Sequence, residues 1–393
     1  MRILAFAYAC EPAKGSEPGA GWGMARMLTE LGESWVITRA NNRESIEEAL
    51  MSLPEASRLQ FVYVDLPPWA RWWKRGQRGA RLYYILWLAA ALRRSRRLHR
   101  EVGFDLVWHL TLANAWLGTT ASLVGPRFIY GPVGGGVGVP WRLLPSLGFR
   151  GALYEMGRAT ARASGRYANP LARLAWRRAE VVLVQNPETK EWLPRRHRHK
   201  AIVVPNAAAM DGSEFEQRAE RLARNPSVAL FAGRLLAFKG LSLALRAIAR
   251  VPNWRLIVLG SGPDEPRLRR LARRLGLEER VEFRGWRPRQ EVLRAMYEES
   301  HVFLFPSLHD EAPLVVAEAL LAGLTLVCFD HGGPPQVATA FGAESLHEEA
   351  LSELTQSLSL VAGIRASAFT LAHEVQSARR PSVADVVRSW GRR

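Results

Sequence analysis

A handful of side chains and backbone segments in this sequence stand where they could work on a phosphate ester or a sugar. In Phe231-Ala-Gly-Arg-Leu-Leu-Ala-Phe-Lys-Gly240 an apolar run ends in two cations, Arg234 and Lys239, each next to a glycine that leaves the backbone open. Such a pair at the end of a strand can neutralise a diphosphate, although two solvated surface charges would read the same way. In Phe305-Pro-Ser-Leu-His-Asp-Glu-Ala-Pro-Leu-Val-Val-Ala-Glu-Ala-Leu-Leu-Ala-Gly323, Asp310 stands eight positions before Glu318. Pro313 suits the first position of a helix reaching Leu321, which leaves the amides of Leu314 and Val315 unpaired at a positive helix end, open to a phosphate or a ribose oxygen. Glu318 falls one turn into an otherwise apolar stretch, where a carboxylate is costly unless it accepts hydrogen bonds. Paired sugar hydroxyls or a buried arginine would each supply them.

Two weaker signals lie earlier. Between Glu11 and Gly23 there are glycines at 15, 19, 21 and 23, ahead of a helix expected at about 24–31. Glycine permits close backbone approach, and a helix N-terminus suits phosphate, so Gly19 and Gly21 are candidates; a tight turn without a ligand is the alternative. The spacing is neither the dinucleotide fingerprint nor the P-loop. His109 closes the apolar run Phe104-Asp-Leu-Val-Trp-His109. A histidine in that position fits a satisfied core residue as well as a reactive group.

These residues need a frame, and the hydrophobic pattern supplies one. Strand-like runs are expected at 3–8, 34–38, 59–64, 106–109, 128–130, 181–185 and 202–204, then at 228–232, 255–259, 281–284, 302–305 and 324–329. They are bounded by Gly, Pro or Asn and lack clean alternation, as strands buried on both faces of a parallel sheet do. Helical stretches such as Leu241 to Arg250 and Pro266 to Leu275 complete βαβ units. The reading is α/β, twice. The expected division is an N-terminal Rossmann-like domain at 1–205, a polar linker at 206–226, a C-terminal Rossmann-like domain at 227–374, and a C-terminal helix at 375–393 packing back on the first domain. Two such domains facing each other would enclose a cleft at the carboxyl ends of their strands.

The 393 residues carry a net charge of +17, and the excess is uneven. The window from Leu66 to Gly103 holds ten basic residues and one acid, and that from Arg142 to Ala179 holds eight and one; the rest is nearly neutral. Two cysteines cannot form a disulfide framework, and a chain this long can bury enough apolar surface without one, which suits a reducing compartment. The N-terminus reads as a first strand and not as a signal peptide. The longest uncharged apolar run, Leu82 to Leu92, would span ~16 Å as a helix, against ~30 Å for a hydrocarbon core.

The series Gly-Arg-Leu with Lys-Gly, Leu-Gly-Ser-Gly-Pro at 259–263, Val-Glu-Phe-Arg-Gly-Trp at 281–286, Pro-Ser-x-x-Asp-x7-Glu-Ala with Ala-Gly at 306–323 and Gly-Gly-Pro-Pro at 332–335 resembles the family 4 retaining glycosyltransferases of GT-B fold. The segments at 9–22 and 130–136 resemble a bacterial polysaccharide-synthesis branch of that family. The resemblance implies that Arg234 and Lys239 grip the donor diphosphate and that Glu318 bonds the nucleotide ribose. It also implies that Asp310, in place of the family's glutamate, contacts the donor sugar. The Gly260 to Pro263 loop, with Gly262, and the Arg284 to Arg287 loop, with Trp286, would enclose the base, and Gly19 to Gly21 would cover the diphosphate from the other domain. His109 matches the second histidine of the branch's His-His-x-Thr element and would line the catalytic cleft.

The expected mechanism follows from that inventory. No Asp/Glu/His metal cluster or Asp-x-Asp element is present, so the leaving diphosphate would be neutralised by Arg234, Lys239 and helix-end amides, with no metal and no cofactor beyond the nucleotide-sugar substrate. Configuration would be retained. In the first basic window Trp69, Trp72, Trp73, Tyr83, Tyr84 and Trp87 interleave with arginines, which suits an anionic membrane face, where each basic residue adds ~1 kcal/mol. A buried helix pair is the structural alternative, and single-stranded nucleic acid is a third for which no recognition motif is found. The second window lacks acidic partners, which argues for an anionic neighbour. The expectation is a cytoplasmic enzyme, peripheral at the inner face of the plasma membrane, acting on a lipid-linked or polysaccharide acceptor. Its rivals are a non-transferring GT-B enzyme such as a nucleotide-sugar epimerase, or a basic membrane- or nucleic-acid-binding protein on a degenerate transferase scaffold.

Overall fold

A computed structural model describes residues 1–70, 79–209, 228–346 and 349–371. They divide into two compact units: Met1–Gly136 with 161–209, and Val137–Thr160 with 228–371.

The first unit alternates strand and helix: β1 (Arg2–Phe6), α1 (Ser16–Leu28), β2 (Glu33–Thr38), α2 (Arg43–Leu50), β3 (Leu59–Tyr63), α3 (Ala80–Val102), β4 (Leu106–His109) and β5 (Arg127–Val133). The helix α4 (Gly148–Tyr167), inside which the division falls, is followed by α5 (Pro170–Arg178), β6 (Val181–Val184), α6 (Pro187–Trp192) and β7 (Ala201–Val203). The seven strands form a parallel sheet in the order β3-β2-β1-β4-β5-β6-β7. Central strands such as Leu106–His109 and Val181–Val184 are buried at every position, as the unbroken apolar runs require.

The second unit continues with β8 (Val228–Ala232), α7 (Leu241–Arg250), β9 (Arg255–Leu259), α8 (Glu265–Arg274), β10 (Val281–Gly285), α9 (Arg289–Glu298), β11 (Val302–Leu304), α10 (Leu314–Leu321), β12 (Thr325–Phe329), α11 (Gly333–Ala340), β13 (Ala343–Ser345), α12 (Glu349–Ala362) and β14 (Ala366–Leu371). Its sheet runs β10-β9-β8-β11-β12-β14-β13, with β14 antiparallel to both neighbours. All twelve strands read from the sequence are present. The strands β13 and β14 were not expected: one is three residues long, and both carry much partly exposed surface, so neither shows a buried run. Strand order reverses between β1 and β4 in one sheet and between β8 and β11 in the other. The loops that follow those four strands are therefore where an open parallel sheet binds ligands.

Three expectations about placement change. Val137–Thr160, expected in the first domain, belongs to the second unit. Leu143 and Leu147 enter that unit's apolar core, and the carbonyl oxygen of Ser146 accepts from Arg267 Nη1 at 3.2 Å, so packing overrides sequence order. The second basic window is thus shared between the units. The helix expected at 24–31 begins already at Ser16 and takes in Gly19 and Gly21. Of the linker, 206–209 form a short 3-10 turn, while 210–226 and the C-terminal helix at 375–393 lie outside the described residues.

The first basic window also resolves differently. Tyr83, Tyr84, Trp87, Leu88, Ala91 and Leu98 form the inward stripe of α3 and are buried in the first unit's core, with Trp87 Nε1 donating to the Val64 carbonyl at 2.8 Å. These rings are core and not a membrane-facing set. Leu82, Ile85 and Leu86 on the other side of the helix are exposed, as is Trp69; Trp72 and Trp73 lie outside the described residues. Among the described residues no helix is long and apolar enough to cross a membrane.

Candidate active site

The loops after β8, β9 and β10 are tied together by their backbones. The amide of Gly233 donates to the Leu259 carbonyl at 2.9 Å, that of Leu235 to Ser261 at 3.0 Å, and that of Gly260 to Gly285 at 2.7 Å. Gly262 sits where a Cβ would collide with the Leu235 carbonyl oxygen, and one on Gly260 would collide with that of Gly233. Glycine is needed here for close approach. From this platform Arg234 projects into solvent with no partner among the described residues, and Trp286 lies at the end of β10 with 68% of its surface exposed. A free guanidinium and an open aromatic face beside exposed backbone can take a phosphate and a planar base.

Lys239 and Asp310 meet across the β8/β11 reversal. Lys239 Nζ donates to both carboxylate oxygens of Asp310, at 2.8 and 2.7 Å, and the two side chains are 16% and 17% exposed. Burial alone would push the Asp310 carboxyl up, but the Lys239 ammonium, helped by Ser307 and His309, overrides it and holds the group below its ordinary value. The same ammonium lies 5.2 Å from the centre of the Phe305 ring. Two residues singled out separately thus form one unit, and a diphosphate reaching Lys239 has to share it with Asp310.

The start of α10 is capped by Pro313, which offers no side-chain acceptor; Leu314 is buried and Val315 partly so. Glu318, one turn on, is 6% exposed, and its Oε1 accepts from Arg289 Nε at 2.6 Å. The partner left open in the sequence is therefore an arginine, supplied by the first residue of α9. Arg284 is also occupied. Its guanidinium bonds Glu299 and Glu282, each at 2.8 Å, and these carboxylates raise its pKa. Expected beside the base, it instead braces β10 against the end of α9.

In the first unit Gly19 and Gly21 serve packing. A Cβ on Gly19 would collide with the Lys14 carbonyl oxygen, and one on Gly21 with that of Ala9, so they let α1 lie flush on the preceding loop. His109 is 1% exposed, with its ring stacked at 6.1 Å on Phe6. Thr119 Oγ1, which accepts from the Ala121 amide, is 2.6 Å from Nδ1 and donates to it; Nε2 then carries the proton, 3.0 Å from the Thr111 carbonyl and 3.1 Å from Tyr84 Oη. Burial, only partly offset by the Thr111 bond, lowers its pKa to about 4. Expected to line a catalytic cleft, His109 is a satisfied, neutral core residue, because both ring nitrogens find partners within its own unit.

Sequence reading passed over several residues of weight. Glu17, at the start of α1, accepts from the Leu112 amide at 2.6 Å and from Asn206 Nδ2 at 3.3 Å; burial raises its pKa against the pull of that amide. Ala13, Ser16 and Leu112, all non-glycine, hold positive φ of 55°, 61° and 52° in the loops around it. In the second unit His309, Glu155, Arg158 and Glu311 form a buried ionic chain beside Asp310. Nδ1 of His309 is 2.9 Å from Oε1 of Glu155, and Arg158 reaches Glu155 at 3.5 Å and Glu311 at 3.7 Å. That Glu155 is the single acid of its basic window was the one available signal.

Two Rossmann-like units, each built on a mainly parallel sheet with its candidate residues at the strand-order reversal, make this a GT-B fold. Residues 213–357 match the family Glycosyl transferases group 1. Among curated relatives, the chain is 29% identical over 178 residues to WcaL of Escherichia coli (strain K12), a glycosyltransferase assigned to colanic acid biosynthesis, covering 42% of this chain and 43% of that one. It is 28% identical over 265 residues to the 2-deoxystreptamine glucosyltransferase of Streptomyces kanamyceticus, covering 63% and 65%. The chain thus spans less than two thirds of the length of the curated relatives it matches. Among solved structures, Anabaena Alr3699/HepE in complex with UDP and glucose superposes with a TM-score of 0.56 at 16% identity, covering 100% of each chain.

Proposed function

We propose that the chain is a family 4 glycosyltransferase that moves a sugar from a nucleotide-diphosphate donor to a lipid-linked or polysaccharide acceptor. The observation that carries this is the exposed Arg234 guanidinium, without a partner among the described residues, held at the strand-order reversal of the unit that matches the glycosyltransferase family, beside Lys239 and a backbone platform only glycine can form. The donor class is supported by the UDP and glucose named with the Anabaena structure, and the acceptor class by the colanic acid assignment of the E. coli relative.

On this reading Arg234, Lys239 and the Leu314 and Val315 amides hold the diphosphate, Trp286 and the Gly262 loop flank the base, and Glu318 holds the ribose. As the bond from the anomeric carbon to the phosphate oxygen breaks, charge grows on the phosphate, and preorganised cations and amides stabilise it without reorganisation. The acceptor oxygen bonds the anomeric carbon from the same face, and its proton passes to the departing phosphate oxygen, so configuration is retained with no metal or cofactor. Asp310, one methylene shorter than the family's glutamate and drawn to Lys239, reaches the sugar once the diphosphate has taken over the ammonium.

The acceptor proposal extends to an anionic membrane surface at the cytoplasmic face. On α4, Phe149, Leu153 and Met156 are exposed at 84%, 59% and 58%, at helical spacing of four and three, with Arg150 exposed beside them. On α3, exposed Leu82, Ile85 and Leu86 lead to exposed Arg93 and Arg97. Apolar outer faces flanked by arginines suit a helix lying in a lipid interface. Sedimentation with anionic vesicles tests this: binding lost in R93E/R97E and L153E supports it, and unchanged binding refutes it.

The catalytic proposal is tested by incubating the protein with UDP-, GDP- and ADP-sugars and a lipid-linked or oligosaccharide acceptor, with products read by mass spectrometry. Transfer that is lost in Arg234→Ala supports the proposal. Donor conversion without an acceptor would place the chain with the epimerases, and no donor consumption would reduce it to a binding protein.

A further inference from the structure

We infer that His309, held by Glu155, is a positioning residue for the Lys239–Asp310 pair, so that the helix α4 forms part of the donor machinery of the second unit. The inference rests on the reading of Lys239 as a diphosphate ligand. The His309 ring lies face to face on Phe238, with centroids 3.7 Å apart and planes 18° from parallel. Phe238 is the residue before Lys239, and His309 the residue before Asp310. A single stacked pair thus joins the two backbones that carry the two charges. The loops are also pinned directly, since the Leu308 amide donates to the Phe238 carbonyl at 2.8 Å.

Stacking fixes the distance between the rings but leaves the imidazole free to slide and rotate in its plane, and Glu155 removes that freedom. Its Oε1 is 2.9 Å from His309 Nδ1, a close polar contact without hydrogen-bond alignment, and both atoms are buried with no hydrogen-bond partner among the described residues. A carboxylate that close to one edge of the imidazole favours a single orientation of the ring. Glu155 is 5% exposed, so the carboxylate depends on this contact and on Arg158 at 3.5 Å. Arg158 in turn donates to the Val137 carbonyl at 2.8 Å and lies 3.7 Å from Glu311, the residue after Asp310. The Asp310 loop is therefore gripped on both sides by one turn of α4, through His309 before the aspartate and Glu311 after it.

A merely structural role and a positioning role separate in donor binding. The test uses calorimetric titration of the full chain with UDP, GDP and ADP, alongside thermal unfolding and donor and acceptor KM where transfer is observed. Two variants are compared: Glu155→Gln, which keeps the shape and removes the charge, and His309→Phe, which keeps the stack and removes the polar contact. The expected result is nucleoside diphosphate binding weakened about tenfold or more in both, donor KM raised by a similar factor, and acceptor KM unchanged; His309→Asn, which retains a polar side chain beside Glu155, restores part of the binding. Wild-type affinity in Glu155→Gln overturns the inference, as does an equal rise in both KM values. If His309→Phe fails to fold, Glu155→Gln alone decides. Failure of the wild-type chain to bind any nucleoside diphosphate would instead overturn the underlying reading of Lys239.

Discussion

Removing the Lys239 ammonium should cost stability in a way that identifies its partner. Lys239 and Asp310 are joined by two bonds of 2.7 and 2.8 Å, with side chains 16% and 17% exposed, so each is mostly out of water. Truncating one member of a buried pair leaves the other uncompensated, which costs ~3–5 kcal/mol; with one-sixth of each group still hydrated, about 3 is expected for Lys239→Ala. Asp310→Asn in the same background removes the stranded charge, so the double variant recovers most of the loss and the cycle yields a coupling of about 2–3 kcal/mol. The pH dependence follows. In the wild type the Asp310 carboxyl is held below its ordinary value, so its contribution is complete above the unfolded pKa of about 4 and is lost only as pH falls through the lower folded value. In Lys239→Ala burial is opposed only by Ser307 and His309 and raises that pKa, so the variant's deficit is largest at neutral pH and shrinks toward pH ~4. Urea denaturation of the four proteins at pH 7 and pH 4.5 measures this. A coupling below ~0.5 kcal/mol, or a deficit independent of pH, would refute the argument.

Three further outcomes follow from the geometry. His109, with a folded pKa of about 4 against an ordinary 6.5, should stay neutral in a carbon-detected NMR titration down to pH ~5. The unfolded chain protonates this group first, so its contribution to stability is complete above pH 6.5 and falls by up to ~1.4 kcal/mol per unit as pH drops toward 4, a slope that His109→Gln should remove. Gly21→Ala places a Cβ against the Ala9 carbonyl oxygen and 2.7 Å from Thr111 Cγ2, and should destabilise the first unit by ~1–3 kcal/mol in thermal unfolding. Trp286→Ala should leave the melting temperature within a degree or two, because that side chain is 68% exposed, while weakening nucleotide binding at least several-fold by calorimetry.

Much of the frame was legible in the sequence, because parallel strands buried on both faces must be continuous apolar runs, and Val228–Ala232, and Arg255–Leu259 after its exposed first residue, carry that signature. Strands β13 and β14 escaped because an edge hairpin half open to water needs no such run. The affiliation of Val137–Thr160 escaped because it depends on Leu143 and Leu147 finding a core supplied by residues about a hundred positions later. The site was legible in the types of its residues but not in their pairings. Nothing local announces that Arg284 is taken by Glu299, that Glu318 is taken by Arg289, or that Lys239 already holds Asp310. Arg234 matters most because its place in the sequence pattern agrees with its exposure and its lack of a partner among the described residues.

The central claim, that the second unit takes a nucleotide-sugar donor through Arg234, is tested most directly by isothermal titration of UDP-, GDP- and ADP-sugars into the wild-type chain and Arg234→Ala. At least one donor should bind the wild type, and the variant, folded to the same melting temperature because Arg234 is exposed and makes no hydrogen bond or ion pair among the described residues, should bind it at least tenfold more weakly. Equal binding by both proteins, or no binding of any donor by the wild type, would contradict it.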